Sequence, residues 1–330
     1  MEKGVLIFVE AQGANVSPMA GELLGAGKKL ADVLGEELAA IIVGNQVASS
    51  PPEVIAWGAK KVYVVDDPIL KDYQTDAYVS AMEQALGQIQ PQVVLMGQTE
   101  IGRDLAPRLA FRLKTSVSMD CTELAIDPQT KLLLQSRPVY GGNARAVFTF
   151  STKPQMATVR AKSMEPLAKD PSRQGETIPI KVDLKPAQIR TRLVKRVKEE
   201  VAGIKLEEAR VIVACGRGMA GAEGFKQLDA LARLFKGAVG ASRPPVDNNW
   251  IPSSQQVGLT GKIVTPEVYI AVAISGSSQH MAGCSGAKTI VAVNKDPEAN
   301  IFKEARFGVV GDWKQVLPAF IEKIKELTGS

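Results

Sequence analysis

The sequence of 330 residues contains one histidine, His280, and three cysteines, at positions 121, 215 and 284. One imidazole cannot build a two- or three-histidine metal site or a relay of protons between histidines. The cysteines form no C-x-x-C pair, which favours a reducing compartment, so we expect a cytoplasmic protein. No apolar run reaches the roughly 18 residues of a membrane-spanning helix, and no signal-peptide pattern is present, so we expect neither membrane insertion nor secretion.

An excess of charge of one sign is also lacking. The 40 lysines and arginines and the 35 acidic residues leave a formal net charge of +5, which does not indicate a nucleic-acid partner. The hydrophobic fraction of 45% excludes a disordered chain. The length predicts two domains, each large enough to bury a core.

In the first half of the chain, short apolar runs alternate with amphipathic segments of helical length. The predicted strands are 5–10, 38–43, 62–65 and 93–96, and the predicted helices are 19–34, 52–57, 74–88 and 102–113. This alternation predicts a parallel α/β sheet covered on both faces. Segments 117–126, 131–138, 145–151 and 155–161 follow without helices, and they predict an antiparallel or mixed edge of the same sheet.

The pattern is interrupted by residues 163–186, which are rich in Pro, Ser and charge and predict a linker or a domain-crossing strand. Six basic residues and no acid follow between Lys185 and Lys198. This basic run is interpreted either as part of the linker region or as a phosphate-binding arm. We therefore expect an N-terminal α/β domain over 1–200, with 163–200 as the crossing region, and a C-terminal Rossmann-like domain over 201–330. The strands predicted for the second domain are 211–215, 238–241, 268–275, 289–294 and 307–311, and its helices include 222–235 and 313–327.

A glycine-rich turn opens the second domain. Residues 216–221 read G-R-G-M-A-G between a predicted strand and a predicted helix, which is the setting of the dinucleotide-binding fingerprint. The acid that holds the ribose of NAD is absent from the end of the next strand, where Arg243 stands instead. Arginine can hold the 2′-phosphate of NADP, so an NADP-dependent dehydrogenase and a purely structural glycine turn both stay open.

Small and polar residues also follow the other strands of this domain. They occupy 257–262, 275–280, 294–297 and 311–312, where parallel sheets bind their ligands. No nucleophile lies beside a base, and the cysteines stand in apolar or glycine-rich surroundings typical of buried thiols. A large site for phosphates without catalytic side chains indicates a cofactor that carries out redox chemistry.

Segments 268–283 (VYIAVAISGSSQHMAG) and 289–297 (TIVAVNKDP) closely resemble the signature of electron transfer flavoprotein α subunits. The motifs GRGMAG, VGASRP, VGLTGK and FGVVGD follow the order and spacing of that family, and GRDLAPRL at 102–109 resembles its first domain. The resemblance covers the whole chain. It implies a heterodimer with a β subunit and one FAD in the C-terminal domain of this chain.

The resemblance also implies roles for individual residues. Arg243 would lie over the isoalloxazine near N5, Thr260 would hydrogen-bond the N5/C4 region, and His280 would approach O2, so that these three tune the potential. One charge-assisted hydrogen bond of about 1.5–3 kcal/mol corresponds to about 65–130 mV in a one-electron potential. Leu259 replaces the usual glutamine of the family, and Ser277-Ser278 replace Ala-Ile. The residues expected to hold the pyrophosphate, ribityl and adenine parts are Arg217, Ser242, Ser275, Gln279, Asn294 and Asp312, and the cofactor-binding loops add Val257, Gly258, Leu259, Gly276, Ser277 and Ser278.

A second nucleotide is expected in the β subunit, as AMP in conventional members and as a second FAD in electron-bifurcating ones. The segments ASRPPVDNNW and SSQH match variants of the bifurcating kind, which favours a complex that divides the electrons of NADH between a high-potential acceptor and ferredoxin or flavodoxin. The alternative is a conventional shuttle serving acyl-CoA dehydrogenases. In both cases the chain is an electron carrier subunit whose redox partners include a dehydrogenase or a quinone oxidoreductase.

Overall fold

The computed structural model describes residues 3–142, 144–195 and 203–328. The chain divides into two compact units, one of residues 1–138 and 145–196 and one of residues 139–144 and 197–330. The predicted domain boundary at residue 200 and the last two basic positions of the 185–198 run lie outside the described residues. Arg190, within that run, pairs with Asp76 of the same unit at 3.4 Å.

Residues up to 179 form twelve of the described strands and four of the helices. Seven of these strands make one sheet in the order β12-β5-β4-β1-β6-β11-β7, and every strand pair resolved in it is parallel. The strands are β1 (Val5–Val9), β2 (Ala11–Gln12), β3 (Asn15–Val16), β4 (Leu38–Gly44), β5 (Lys61–Asp66), β6 (Val93–Gly97), β7 (Val117–Cys121), β8 (Glu123–Ile126), β9 (Leu133–Val139), β10 (Ala144–Phe148), β11 (Gln155–Val159) and β12 (Glu176–Pro179). The helices are α1 (Met19–Leu34), α2 (Pro51–Ala56), α3 (Thr75–Ile89) and α4 (Glu100–Arg112).

Local sequence explains where these helices begin and end. Helix α1 ends because Gly35 adopts φ 69°, and its N–H donates to the carbonyl of Asp32. Helix α4 begins at Thr99, whose hydroxyl oxygen accepts a hydrogen bond from the Gly102 N–H at 3.0 Å. Along β1, alternate residues enter the two cores that cover the sheet, with Ile7 on one face and Phe8 on the other.

The antiparallel strands expected over residues 117–161 are confirmed, since β8 and β9 pair antiparallel, but they form a sheet of their own instead of an edge of the main sheet. Strands β7 and β11 are parallel members of the main sheet, and the chain between them forms a separate three-stranded sheet of β8, β9 and β10. A crossover made of strands instead of a helix leaves no helical period in the sequence, and local pattern does not tell which strands join the main sheet. The stretch 163–186 contributes the edge strand β12, which pairs with β5.

The second unit is a doubly wound α/β fold, as predicted. Its five parallel strands stand in the order β14-β13-β15-β16-β17, so that the chain moves to one side of β13 and then to the other. Of the described residues, none belongs to a helix that is long and apolar enough to cross a membrane. The elements are β13 (Val211–Cys215), β14 (Ala238–Ala241), β15 (Val268–Val272), β16 (Thr289–Asn294) and β17 (Phe307–Val310), with α5 (Phe225–Leu234), α6 (Arg243–Asp247), α7 (Ser278–Cys284), α8 (Ile301–Glu304) and α9 (Trp313–Thr328).

Candidate cofactor site

A cleft of about 710 Å³ lies at the carboxyl ends of β13, β14, β15 and β16 in the second unit. Its position spans β13, where the strand order reverses, and open α/β sheets bind their ligands at such a switch point. Most of the predicted residues line this cleft. They are Arg217, Ser242, Arg243, Val257, Gly258, Leu259, Thr260, Ser275, Ser277, Gln279, His280 and Asn294.

The three remaining predicted residues lie outside the lining of this cleft. Asp312 lines an adjoining cleft of about 180 Å³, which also contains Asn294. Gly276 and Ser278 line a third depression of about 340 Å³ beside α7. Gly276 lies in the turn after β15, where glycine is required for two reasons. It adopts φ 79°, and a Cβ there would lie 2.3 Å from the backbone nitrogen of Ile301.

The turn between β15 and α7 presents backbone donors to the cleft. Within the described residues, the backbone N–H groups of Ser275, Gly276 and Ser277 have no hydrogen-bond acceptor. Ser275 and Ser277 are exposed and line the cleft, so their N–H groups and hydroxyls are available to a ligand. Successive unpaired N–H groups of this kind form an anion-binding concavity that suits a phosphate.

The segment from Gln256 to Lys262 packs closely on α7. A Cβ on Gly283 would lie 2.3 Å from the backbone nitrogen of Gly258, so only glycine allows this approach. The Leu259 N–H donates to the carbonyl of Gln279 at 2.7 Å, and the Gln256 side-chain amide donates to the Thr260 hydroxyl at 3.0 Å. The segment is therefore held rigidly, with Thr260 exposed on the cleft side.

His280 is buried, and both of its ring nitrogens have partners in this chain. Nδ1 lies 3.1 Å from the carbonyl oxygen of Val257, and Nε2 lies 3.0 Å from the hydroxyl of Tyr269. The carbonyl can only accept, so Nδ1 carries the proton, Nε2 is the acceptor, and Tyr269 donates to it. Burial lowers the pKa of His280 from 6.5 to about 4.

In this geometry the ring N–H of His280 is already bonded within the chain, so it is not available as the expected donor to O2 of a flavin. The imidazole is neutral, and its only N–H is used by Val257. His280 lines the cleft but acts on the Val257 segment, which it ties to β15 through Tyr269.

Arg243 is an exposed cation in the lining of the cleft. It lies at the start of α6, and its Nε is 3.2 Å from an Asp247 carboxylate oxygen one turn later. The side chain of Arg243 is 65% exposed, which leaves its guanidinium face open to a ligand. The ion pair fixes the orientation of the guanidinium and offsets part of its charge.

Asn294 and Asp312 have structural hydrogen bonds of their own. The amide of Asn294 donates to the Ile274 carbonyl at 2.9 Å, and its oxygen accepts from the Asp296 N–H at 3.0 Å. The carboxylate of Asp312 accepts from the Lys314 N–H at 2.9 Å and caps α9. Asn294 thus joins the ends of β15 and β16, and Asp312 fixes the start of the last helix.

The thiols of this unit are buried and carry no sign of activation. Burial raises the pKa of Cys215 and of Cys284 to about 12, so both are protonated near neutral pH. In the part of the chain that the structure describes, no group of histidine, cysteine or acidic side chains could hold a metal ion. The cleft is therefore suited to binding a ligand and contains no activated nucleophile.

Comparison with known proteins finds matches over both units of the chain. Residues 5–185 match the family model described as "Electron transfer flavoprotein domain", and residues 205–285 match the one described as "Electron transfer flavoprotein FAD-binding domain". The electron transfer flavoprotein subunit alpha of Thermoanaerobacterium thermosaccharolyticum is 45% identical over 98% of both chains. That of Megasphaera elsdenii is 44% identical over 99% of this chain and 98% of its own length, and that of Bacillus subtilis is 39% identical over 99% of both chains.

The chain belongs to the electron transfer flavoprotein α-subunit family. This confirms the resemblance drawn from the motifs, and it makes electron transfer the general role of the protein. The glycine-rich turn of this α subunit differs from a dinucleotide fingerprint in one respect. Helix α5 begins at Phe225, three residues later than predicted, and 3₁₀ turns occupy residues 217–219 and 222–224.

Sequence reasoning missed several residues that line the cleft. Asp247 follows Arg243 by one helical turn, so a predicted helix at 243–247 would have revealed it. Lys295 and Asp296 follow a predicted strand and carried the same signal as Asn294. Gln256 precedes a recognised motif, and no pattern in the sequence shows that its side chain supports Thr260.

Proposed function

We propose that this α subunit binds one FAD in the cleft of its second unit. The observation that carries the proposal is the row of unpaired N–H groups at Ser275, Gly276 and Ser277, at the switch point of a doubly wound sheet. Arg217 and Lys295 line the same cleft and would supply positive charge for a pyrophosphate. These donors fit a dinucleotide with two phosphates and a polar linker.

Bound FAD would supply reversible one-electron chemistry, for which the protein itself has no group. Arg243 would place its charge beside the ring and stabilise negative charge that develops there. Thr260, held by Gln256, would present its hydroxyl to the edge of the ring. His280 would act indirectly, because it orients the segment that carries Thr260 and donates no proton to the cleft.

We further propose that the subunit works as a heterodimer with a β subunit in an NADH-dependent electron-bifurcating complex. The family supports the β subunit as a partner, and the bifurcating type rests on the segments ASRPPVDNNW and SSQH. In this proposal the β subunit holds a second FAD, and ferredoxin or flavodoxin accepts one of the electrons. The alternative is an AMP in the β subunit and a shuttle between acyl-CoA dehydrogenases and a quinone oxidoreductase.

Nucleotide content of the purified heterodimer tests these proposals directly. Extraction and chromatography should yield two FAD per heterodimer for the bifurcating type and one FAD with one AMP for the shuttle. A colourless heterodimer that binds NADPH would refute FAD binding and would favour the alternative function of an NADP-dependent dehydrogenase. Reduction of ferredoxin by NADH, dependent on a high-potential acceptor, separates the two flavin types independently.

A matched pair of variants tests the N–H row. Ser277 has φ −59°, which proline can adopt, so Ser277→Pro removes the N–H with the hydroxyl, whereas Ser277→Ala removes only the hydroxyl. A hydrogen bond from this N–H to a phosphate is charge-assisted, so Ser277→Pro should weaken FAD binding by about 10- to 150-fold. Equal effects of the two variants would show that the N–H makes no contact with the cofactor.

A further inference from the structure

The first unit contains a cleft of its own, which the proposed FAD site does not use. Its volume is about 310 Å³, and it opens beside the carboxyl ends of β1 and β4. Apolar side chains, including Phe8, Val43 and Ile101, form much of its wall. Strand β1 stands between β4 and β6, so this cleft also lies where the strand order of a parallel sheet reverses.

One carboxyl group enters this apolar cleft. Glu10 directly follows β1, is partly buried, and accepts a hydrogen bond from the Thr99 hydroxyl. The oxygen of that hydroxyl accepts from the Gly102 N–H at 3.0 Å, so Thr99 is held in place by the start of α4. Burial and the nearby Glu100 raise the pKa of Glu10 above its usual value.

The cleft lining, as far as the structure describes it, offers Glu10 no cationic partner. Among the residues that the structure describes, those that line this cleft include no lysine and no arginine. The other titratable groups near Glu10 are Glu100 on α4 and Tyr78 on α3, and the Tyr78 hydroxyl donates to the Leu70 carbonyl. A phosphate would meet like charge here, whereas a cation would relieve the unpaired carboxylate.

The wall of the cleft is formed before any ligand arrives. The hairpin of β2 and β3 forms one side, and its tip at Gly13 is anchored by the Ser50 hydroxyl, which donates to the Gly13 carbonyl at 2.7 Å. The lining also includes polar side chains of Gln12, Asn15 and Ser17. A cleft with apolar walls and one carboxylate matches a long basic side chain, whose stem packs on apolar surface while its head makes an ion pair.

We propose that this cleft is a socket for one lysine or arginine side chain of the β subunit, with Glu10 as its ion-pair partner. The inference rests on the heterodimer of the proposed function and adds a specific contact to it. It makes Glu10 an interface residue of the first unit, separate from the cofactor site of the second.

The test compares heterodimer dissociation constants for the wild type, Glu10→Gln and the control Glu100→Gln. Breaking a buried charge pair at an interface typically corresponds to a loss of 30-fold or more, so Glu10→Gln should weaken association by at least about 30-fold. Glu100 is exposed, and its variant should stay within about threefold. Association of Glu10→Gln within threefold of the wild type would overturn the proposal.

Two further measurements keep the outcome decisive. Glu10→Asp retains the charge on a shorter side chain, so its heterodimer dissociation constant should lie between those of the wild type and Glu10→Gln. This variant keeps the proposal testable even if Glu10→Gln folds poorly. FAD content should stay unchanged in every variant, and a wild-type chain that does not associate with a β subunit would refute the heterodimer itself. The second measurement is the thermal stabilisation of the heterodimer by millimolar free arginine. If Glu10→Gln abolishes this stabilisation but leaves association unchanged, the cleft binds a free cation, and the proposal of a partner side chain is refuted.

Discussion

The neutral state of His280 gives the sharpest prediction, because the chain has only this one histidine. In a heterodimer whose α subunit alone carries ¹⁵N- and ¹³C-labelled histidine, every imidazole signal comes from His280. We expect the Nδ1–H tautomer at pH 7, since Nδ1 faces a carbonyl that can only accept. We also expect no titration between pH 8 and about 5, with a midpoint of about 4.

The pKa of about 4 also predicts how stability depends on pH. Between pH 6.5 and 4 the unfolded chain binds a proton at His280 that the folded chain does not, so falling pH favours unfolding. Above pH 6.5 the group contributes no pH dependence. At or below pH 4 the lost stability reaches about 3 kcal/mol, since the pKa falls from 6.5 to about 4 on folding.

The variant His280→Gln provides the control, because glutamine has an acceptor and a donor and does not titrate. Urea unfolding of wild type and variant at pH 7.5 and pH 4.5 should show a smaller loss of stability for the variant. The reasoning fails if the labelled imidazole titrates near 6.5 or above, or if its nitrogen shifts report a proton on Nε2. Either result would mean that His280 can donate to the cofactor.

Three further predictions concern the same unit. Arg243→Ala should lower the one-electron potential of the flavin by at least about 40 mV, which corresponds to 1 kcal/mol for two charges 4 Å apart in water. Asp247→Asn should raise the potential, because it removes the negative charge paired with Arg243. Shifts of the same sign and size for both variants in a spectroelectrochemical titration would contradict this pairing. Gly283→Ala should destabilise the unit by about 1–3 kcal/mol and weaken FAD binding, because a Cβ there meets the Gly258 backbone, and unchanged thermal unfolding would refute that contact. The buried thiols, Cys284 among them, should resist a thiol reagent at pH 8 until the protein unfolds, and rapid labelling of the native protein would show an open core.

Much of the fold follows from patterns that lie within a few residues of each other. The runs at 38–43 and 93–96 became the buried strands β4 and β6, because strands covered on both faces are apolar at every position. The assignment of the strands over 117–161 to two sheets has the opposite character. Whether β11 pairs with β6 or with its sequence neighbours depends on contacts between residues about 60 positions apart, which no local period encodes.

The candidate site also has a part that local sequence predicts and a part that it does not. Residues at strand ends, such as Ser275 and Arg243, were identifiable because parallel strands bring their carboxyl ends to one edge. The partners of His280 were not identifiable. Tyr269 lies in the middle of β15, and the inward direction of its hydroxyl toward the ring depends on how α7 packs against the sheet.

The motif around the single imidazole suggests a hydrogen-bond donor to the flavin, whereas its bonds in the fold favour a neutral structural group. Histidine is the side chain whose ordinary pKa lies nearest neutrality, and a charged imidazole beside a flavin would make the potential depend on pH through the protein. With Nδ1 bonded to Val257 and Nε2 to Tyr269, His280 stays neutral across the physiological range. The electrostatic contribution of this side chain to the cleft is then constant between pH 5 and 8. The pH dependence of the potential of an FAD bound here should therefore contain no contribution from a histidine of the α subunit.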